Sequence, residues 1–164
     1  MHIRDYQDAD WAAIWPFFQE IVAARETYTY DPAWTSDRAR TVWTAGSHVV
    51  VAEEDGTVLG SAKMGPNQSG PGAHVSTASF MVSRAARGRG LGRALGEYVL
   101  AWAHDQGYAA MQFNAVVETN APAVHLWQAL GFEIIGTVPR AFDHPTHGRV
   151  GLHVMYQEFD RAHV

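Results

Sequence analysis

Apolar positions along this chain switch between two periods. Trp11, Ile14, Trp15, Phe18, Ile21 and Val22 recur at helical spacing, which predicts an amphipathic helix with Asp8 or Asp10 as its cap. Pro16 falls inside that run and is expected to kink it. Thr35 or Ser36 can cap a second, shorter helix reaching Thr44 and ended by Gly46. Before and after these helices the pattern is strand-like: His2 to Asp5, then Val49 to Ala52 and Val58 to Lys63 around Glu54-Asp55-Gly56, a hairpin signal. Gly65 to Gly72 holds two prolines and three glycines and reads as a loop. A long strand follows from His74 to Val82. A third helix carries Leu91, Leu95, Tyr98, Val99 and Trp102 on one face. Met111 to Val117 is a strand, and Asn120 to Leu130 a helix with Pro122 in its first turn and Gly131 as its stop. Phe132–Val138 and Val150–Phe159 form a closing antiparallel pair around a Pro139–Gly148 loop. No repeat or linker interrupts this order. The expectation is a single domain over residues 1–164, of α+β class around one sheet.

Composition narrows the function classes. A hydrophobic content of 47% with six Trp, six Tyr and seven Phe argues against disorder. The formal charge of −5 argues against non-specific binding to nucleic acid or to an anionic membrane. The absence of cysteine excludes disulfides, thiolate catalysis, cysteine-based zinc sites and a cysteine-acyl intermediate. Met1-His2-Ile3-Arg4-Asp5 has no apolar signal core, and no apolar run reaches membrane-spanning length. A cytoplasmic protein is expected.

Against that acidic background, Arg84, Arg87, Arg89 and Arg93 crowd into ten residues together with Gly88, Gly90 and Gly92. Glycines let backbone approach a ligand closely, and a helix N-terminus behind them presents unpaired N–H groups and partial positive charge. This is a cradle for phosphate. A Walker loop is excluded, because no Gly-Lys-Ser/Thr is present and Lys63 is the only lysine. A dinucleotide fingerprint is excluded too: Gly88-x-Gly90 is followed by Arg93 at the third glycine position, and Ala109 to Gln112 supplies no acid about twenty residues on.

Arg-x-x-Gly-x-Gly across Arg87, Gly90 and Gly92 resembles the acetyl-CoA pyrophosphate loop of the GCN5-related N-acetyltransferase (GNAT) superfamily. Asn114 to Phe132, with Asn120 opening a helix that ends in Leu130-Gly131-Phe132, resembles the strand-then-helix motif of the same family. The resemblance covers about residues 1–160 and implies the GNAT acyl-CoA N-acyltransferase fold: a mixed central sheet of about seven strands, its central strands splayed, flanked by about four helices. The splayed strands should be His74–Val82 and Met111–Val117, with the acetyl-pantetheine arm of acetyl-CoA entering between them.

The resemblance assigns the cofactor site residue by residue. The loop Arg87, Gly88, Arg89, Gly90, Leu91, Gly92, Arg93 and Ala94 should hold the pyrophosphate, largely through backbone. Met81 and Val82 should pair with the pantetheine amides, and the Val82 N–H should stabilise the oxyanion. Asn120 serves as a helix N-cap, as a contact to the CoA arm, or as both. Trp127 departs from the family's commonest pattern, a tyrosine whose hydroxyl protonates the departing thiolate. An indole N–H is no useful acid, so Trp127 should only pack beside the thiol. Tyr156 is a candidate replacement, unless the thiolate leaves unaided; free thiols have pKa of about 8.5.

The amine must be neutral to attack, and lysine-like amines have pKa of about 10.4, so a base or a water chain is required. Base candidates are His74, Ser76 and Ser79 on the strand leading to the acetyl site, and Glu118 and His125 beside the second motif. Asn114, polar within an apolar run, either bridges the splayed strands as a buried amide or binds the acceptor's carboxylate. Tyr28 and Tyr30, near Glu26 and Asp31, either border the acceptor pocket or pack on the sheet edge. His144, His147, His153 and Asp143 have no recognised metal spacing, and no metal is expected. The implied activity is transfer of acetyl from acetyl-CoA to a small amine, an amino acid or an antimetabolite resembling one; Phe113-Asn114, Thr119-Asn120 and Leu126-Trp127 are similar to the fungal acetyltransferases that detoxify proline analogues. Alternatives are a protein N-terminal or lysine acetyltransferase and a non-catalytic acyl-CoA sensor. Homodimers are common in the family; no nucleic-acid or membrane partner is expected.

Overall fold

The computed structural model describes residues 1–46 and 48–160. In chain order its main elements are β1 (His2–Asp5), α1 (Trp11–Ala24), α2 (Ser36–Thr44), β2 (His48–Glu54), β3 (Thr57–Pro66), β4 (Val75–Val82), α3 (Leu91–Asp105), β5 (Ala110–Val117), α4 (Ala121–Ala129), β6 (Glu133–His144) and β7 (Gly148–Glu158). Among the described residues seven strands form one sheet in the order β1-β2-β3-β4-β5-β7-β6. Neighbours are antiparallel except β4 and β5, which run parallel.

The uninterrupted apolar run of β2 is explained by burial on both faces. Successive side chains of a strand point to opposite sides. Val49 and Val51 therefore join Trp11, Ile14, Phe18 and Trp43 under α1 and α2, while Val50 and Ala52 join Leu95, Val99 and Trp127 under α3 and α4. Gly96 permits the close approach of α3 to α4: a Cβ there would lie 2.8 Å from Leu130 Cδ1 and 3.0 Å from Trp127 Cζ3.

Several expectations are corrected. Helix α1 includes Pro16, the position of the expected kink, within a single element, and Pro16 and Ala12 are both exposed. An exposed position leaves water able to satisfy the carbonyl that Pro16 cannot pair. Asp10 precedes α1 but does not cap it with its side chain. Its carboxylate takes two bonds from Arg4, each 2.9 Å, and one from the Gln7 N–H at 2.8 Å. Thr35 does cap α2, accepting from the Arg38 N–H. The loop expected from Pro139 to Gly148 is mostly strand: β6 runs on to His144, and its register against β7 shifts between Val138 and Phe142. Pro139 lacks the N–H that regular pairing needs, and the shift accommodates it with Arg140 at φ 55°. At the other expected loop, β3 extends through Gly65 to Pro66.

Candidate active site

The sheet opens between β4 and β5. They pair only at Val75–Ala110 and Ser76–Met111, and the Ser76 hydroxyl, bonded to the Ala110 carbonyl at 2.9 Å, fastens that closed end. Beyond Ser76 the strands part, and a cleft of about 780 Å³ runs from Glu26–Tyr30 past β4 and β5 to the glycine loop and α4.

Strand alternation decides which backbone groups face this gap. Both the N–H and the C=O of Phe80 bond the Tyr28 hydroxyl, the N–H at 2.9 Å. Both therefore point away from β3. Ser83 N–H, of opposite parity, bonds the Leu59 carbonyl on β3 at 2.7 Å. Val82 and Ala78 share the parity of Phe80 and turn their backbone groups into the gap, whereas Met81 turns its own to β3 and its side chain into the core under α1. Met81 is thus removed from the expected pair of edge donors, and Phe80, which sequence reasoning missed, joins Val82. Strand parity is the signal that could have found it, once the Ser83 contact is known.

The Tyr28 phenol is pushed up in pKa chiefly by burial, with Tyr30 adding to the effect, so it keeps its proton and can donate and accept together. Tyr30 is also raised by burial, the Ser79 hydroxyl partly opposing. The Tyr30 ring stacks on Tyr28 and Phe18 at centroid distances of 5.2 and 5.8 Å. Both tyrosines border the cleft and also pack against the core under α1.

The glycine loop is built as a cradle. Gly88 and Gly90 have φ of +78° and +77°, and a Cβ at either would meet nothing within 4 Å. Gly90 opens α3, so the first-turn N–H groups of Leu91, Gly92 and Arg93 are at its N-terminus, while Ala94 N–H is already bonded to the Gly90 carbonyl. Of the arginines, Arg87 borders the cleft and has no carboxylate partner among the described residues. Arg89 is paired to Glu54 at 2.7 Å, Arg93 to Glu97 at 2.9 Å and Arg84 to Glu20 at 3.4 Å. The expected Arg87–Arg89 pair is therefore divided between the cleft and the β2–β3 hairpin.

On the facing wall, Asn120 caps α4, accepting from the Ala123 N–H at 3.4 Å, and borders the cleft. Trp127 is buried against Phe80 and Phe113 with centroids 4.7 and 4.8 Å apart. Asn114 is exposed in the cleft rather than buried, at a register shift of β5, and donates to Asn67 Oδ1 at 2.7 Å. It bridges β5 to the end of β3, beside β4. His74 is exposed beside the closed end, where its carbonyl accepts from Ala109 N–H, and it lies outside the cleft lining. Tyr156 also lies outside it, paired between Gln112 and Glu133. Glu118 is engaged with the Gly151 N–H at 2.6 Å, and His125 is exposed on the outer side of α4. The ionisable groups that do line the cleft, besides the tyrosines, are Glu26, Arg87 and His144. Among the described residues no cluster of three or more His, Asp or Glu side chains is placed to hold a metal, and no helix is long and apolar enough to cross a membrane.

Residues 11–132 match the model of the Acetyltransferase (GNAT) family. L-amino acid N-acyltransferase MnaT of Escherichia coli is 33% identical over 147 residues, covering 85% of this chain and 84% of its own. Two other curated relatives match about half of this chain, which spans 41% of one and 13% of the other. A GCN5-related N-acetyltransferase from Kribbella flavida superimposes with a TM-score of 0.93 at 61% identity over 96% of this chain and 97% of that one. The structure of yncA from Salmonella typhimurium with its cofactor acetyl-CoA gives a TM-score of 0.84 at 28% identity, covering 99% of this chain and 96% of that one.

Proposed function

This chain belongs to the GNAT acetyltransferase family, and we propose that it is an acetyl-CoA-dependent N-acetyltransferase whose acceptor is the primary or secondary amine of a small molecule, an amino acid or an amino-acid-like antimetabolite. The observation that carries this reading is the approach of two chain segments beside the cleft. The segment after α1 and the end of β6 meet there, with Arg25 and Asp143 3.9 Å apart and residues 25, 28–32 and 141–143 sharing a second cavity of about 330 Å³. A polypeptide acceptor would need that side open. The amino-acid substrate named for MnaT agrees with it.

The residues divide the work by position. Backbone N–H groups at the start of α3 and the Arg87 guanidinium suit the pyrophosphate of acetyl-CoA. The edge groups of Val82 and Phe80 suit its amide-bearing arm and the oxyanion formed on acyl transfer. Bound acetyl-CoA supplies an electrophilic thioester. Glu26 is the carboxylate on the cleft wall; it attracts the acceptor's ammonium and takes its proton, directly or through water. Trp127 packs beside the thiol and donates no proton, so the thiolate leaves unaided.

A thiol-release assay with acetyl-CoA tests the reading against the twenty L-amino acids, proline analogues and lysine- or N-terminal-amine peptides. Release with a free amino acid or a proline analogue is expected, and Glu26→Gln should lower kcat by about 100-fold or more at neutral pH. Release with peptides alone would overturn the small-molecule reading. An unchanged kcat in Glu26→Gln would overturn the base assignment.

A further inference from the structure

We propose that His144 binds the acceptor through Nε2–H, which donates a hydrogen bond to a carboxyl oxygen of the amino acid being acetylated. The proposal rests on the amino-acid reading above and names the group that recognises the end of the acceptor remote from its amine.

His144 closes β6, is only 9% exposed, and borders the cleft. Its Nδ1 accepts two backbone N–H groups of its own turn, Thr146 at 3.1 Å and His147 at 3.2 Å. Both donors converge on one lone pair, so the neutral ring carries its proton on Nε2. That N–H has no acceptor among the described residues. The adjacent carboxylate, Asp143, is exposed and directed to Arg25. The ring is held between Phe142 and His147, with centroids 6.5 and 4.6 Å away.

The same geometry excludes the other roles a histidine can play here. A general base or a metal ligand needs a free lone pair. Nδ1 has spent its own on the turn, and Nε2 already holds hydrogen. What remains is a donor with no protein acceptor among the described residues, carried on a nearly buried ring that borders the cleft. An ammonium offers it nothing, whereas a carboxylate oxygen offers a charge-assisted bond. Glu26, elsewhere on the same cleft, has the opposite preference. Together they read an amino acid by both ends.

Two near-isosteric variants separate the ring nitrogens. His144→Asn keeps an acceptor in place of Nδ1 and loses the Nε2 donor; His144→Gln keeps a donor in place of Nε2 and loses the turn acceptor. Each is assayed with the L-amino acid that wild type acetylates fastest among the twenty, and with the amine lacking its carboxylate. His144→Asn should raise the KM for the amino acid about tenfold or more, leaving kcat, the KM for acetyl-CoA and the kinetics of the carboxylate-free amine within about twofold. His144→Gln should recover most of that loss. In wild type, the nitrogen-15 resonance of His144 Nε2 should have the protonated-nitrogen shift and move on addition of the amino acid, not of the carboxylate-free amine. A worse defect in His144→Gln than in His144→Asn, an equal defect with both acceptors, or an unprotonated Nε2 would overturn the proposal while wild-type turnover keeps the amino-acid reading intact. Wild-type turnover of none of the amino acids would overturn both.

Discussion

A phenol can donate and accept at once, and Tyr28 spends both capacities on the backbone of one residue, Phe80. These are the groups that the open edge of β4 would otherwise present to a bound thioester. In the free protein Tyr28 therefore satisfies that edge and competes for it. Tyr28→Phe should cost about 0.5–1.5 kcal/mol of stability, read as a lower Tm, and should tighten binding of acetyl-CoA relative to CoA in parallel titrations. An unchanged ratio of the two affinities would count against the competition. The Glu-Thr-Tyr-Thr-Tyr sequence could place Tyr28 near an acceptor pocket but could not show its partner, because the contact joins residues 52 positions apart. Asn114 is similar. Its polarity stood out in the apolar run, yet only the register shift of β5 exposes it in the cleft.

Among elements, α1 matters most for the acceptor side, since the segment carrying Glu26, Tyr28 and Tyr30 leaves its C-terminus. Its N-terminal end is tied to the sheet by Arg4, which joins Asp10 to Glu53 on β2. Arg4 holds the Asp10 carboxyl below the usual carboxylate range, with burial opposing and the Gln7 N–H assisting. A folded pKa below the unfolded value contributes stability above the unfolded pKa of about 3.9, and that contribution is lost as pH falls through the folded value. Asp10→Asn should accordingly cost about 1–3 kcal/mol at pH 7, and the gap from wild type should narrow below about pH 4. Urea unfolding at pH 7 and pH 3 checks both. Element type was legible from periodicity, while extent was not always so. Pro16 read as a kink inside α1 and Pro139 as the start of a loop. One lies on the exposed side of α1, where water can reach the unpaired carbonyl, and β6 shifts register around the other.

For the molecule as a whole, the proposed cofactor site draws on β4, the loop before α3, and α4, so its occupancy should stabilise the fold. CoA at about 100 times its Kd should add about 2.7 kcal/mol and raise Tm by several degrees. Gly92→Glu is the matching control. Gly92 is helical and borders the cleft, and a Cβ there would meet only Leu126 Cδ2 at 3.5 Å. Its carboxylate would favour the N-terminus of α3 but repel pyrophosphate. The variant should stay folded and show no CoA-dependent shift in Tm; a full shift would remove the glycine loop from the cofactor site. The sequence by itself determined much that depends on neighbours in the chain: the glycine-rich turn before α3, the Asn120 cap, and the order of helices and strands. The tertiary structure alone decided that Phe80 and Val82 rather than Met81 face the gap, that Arg87 rather than Arg89 borders the cleft, and that His144 is buried. The first two follow from strand parity and from a partner distant in sequence, while for His144 the spent nitrogen is a contact within its own turn and only the burial is tertiary.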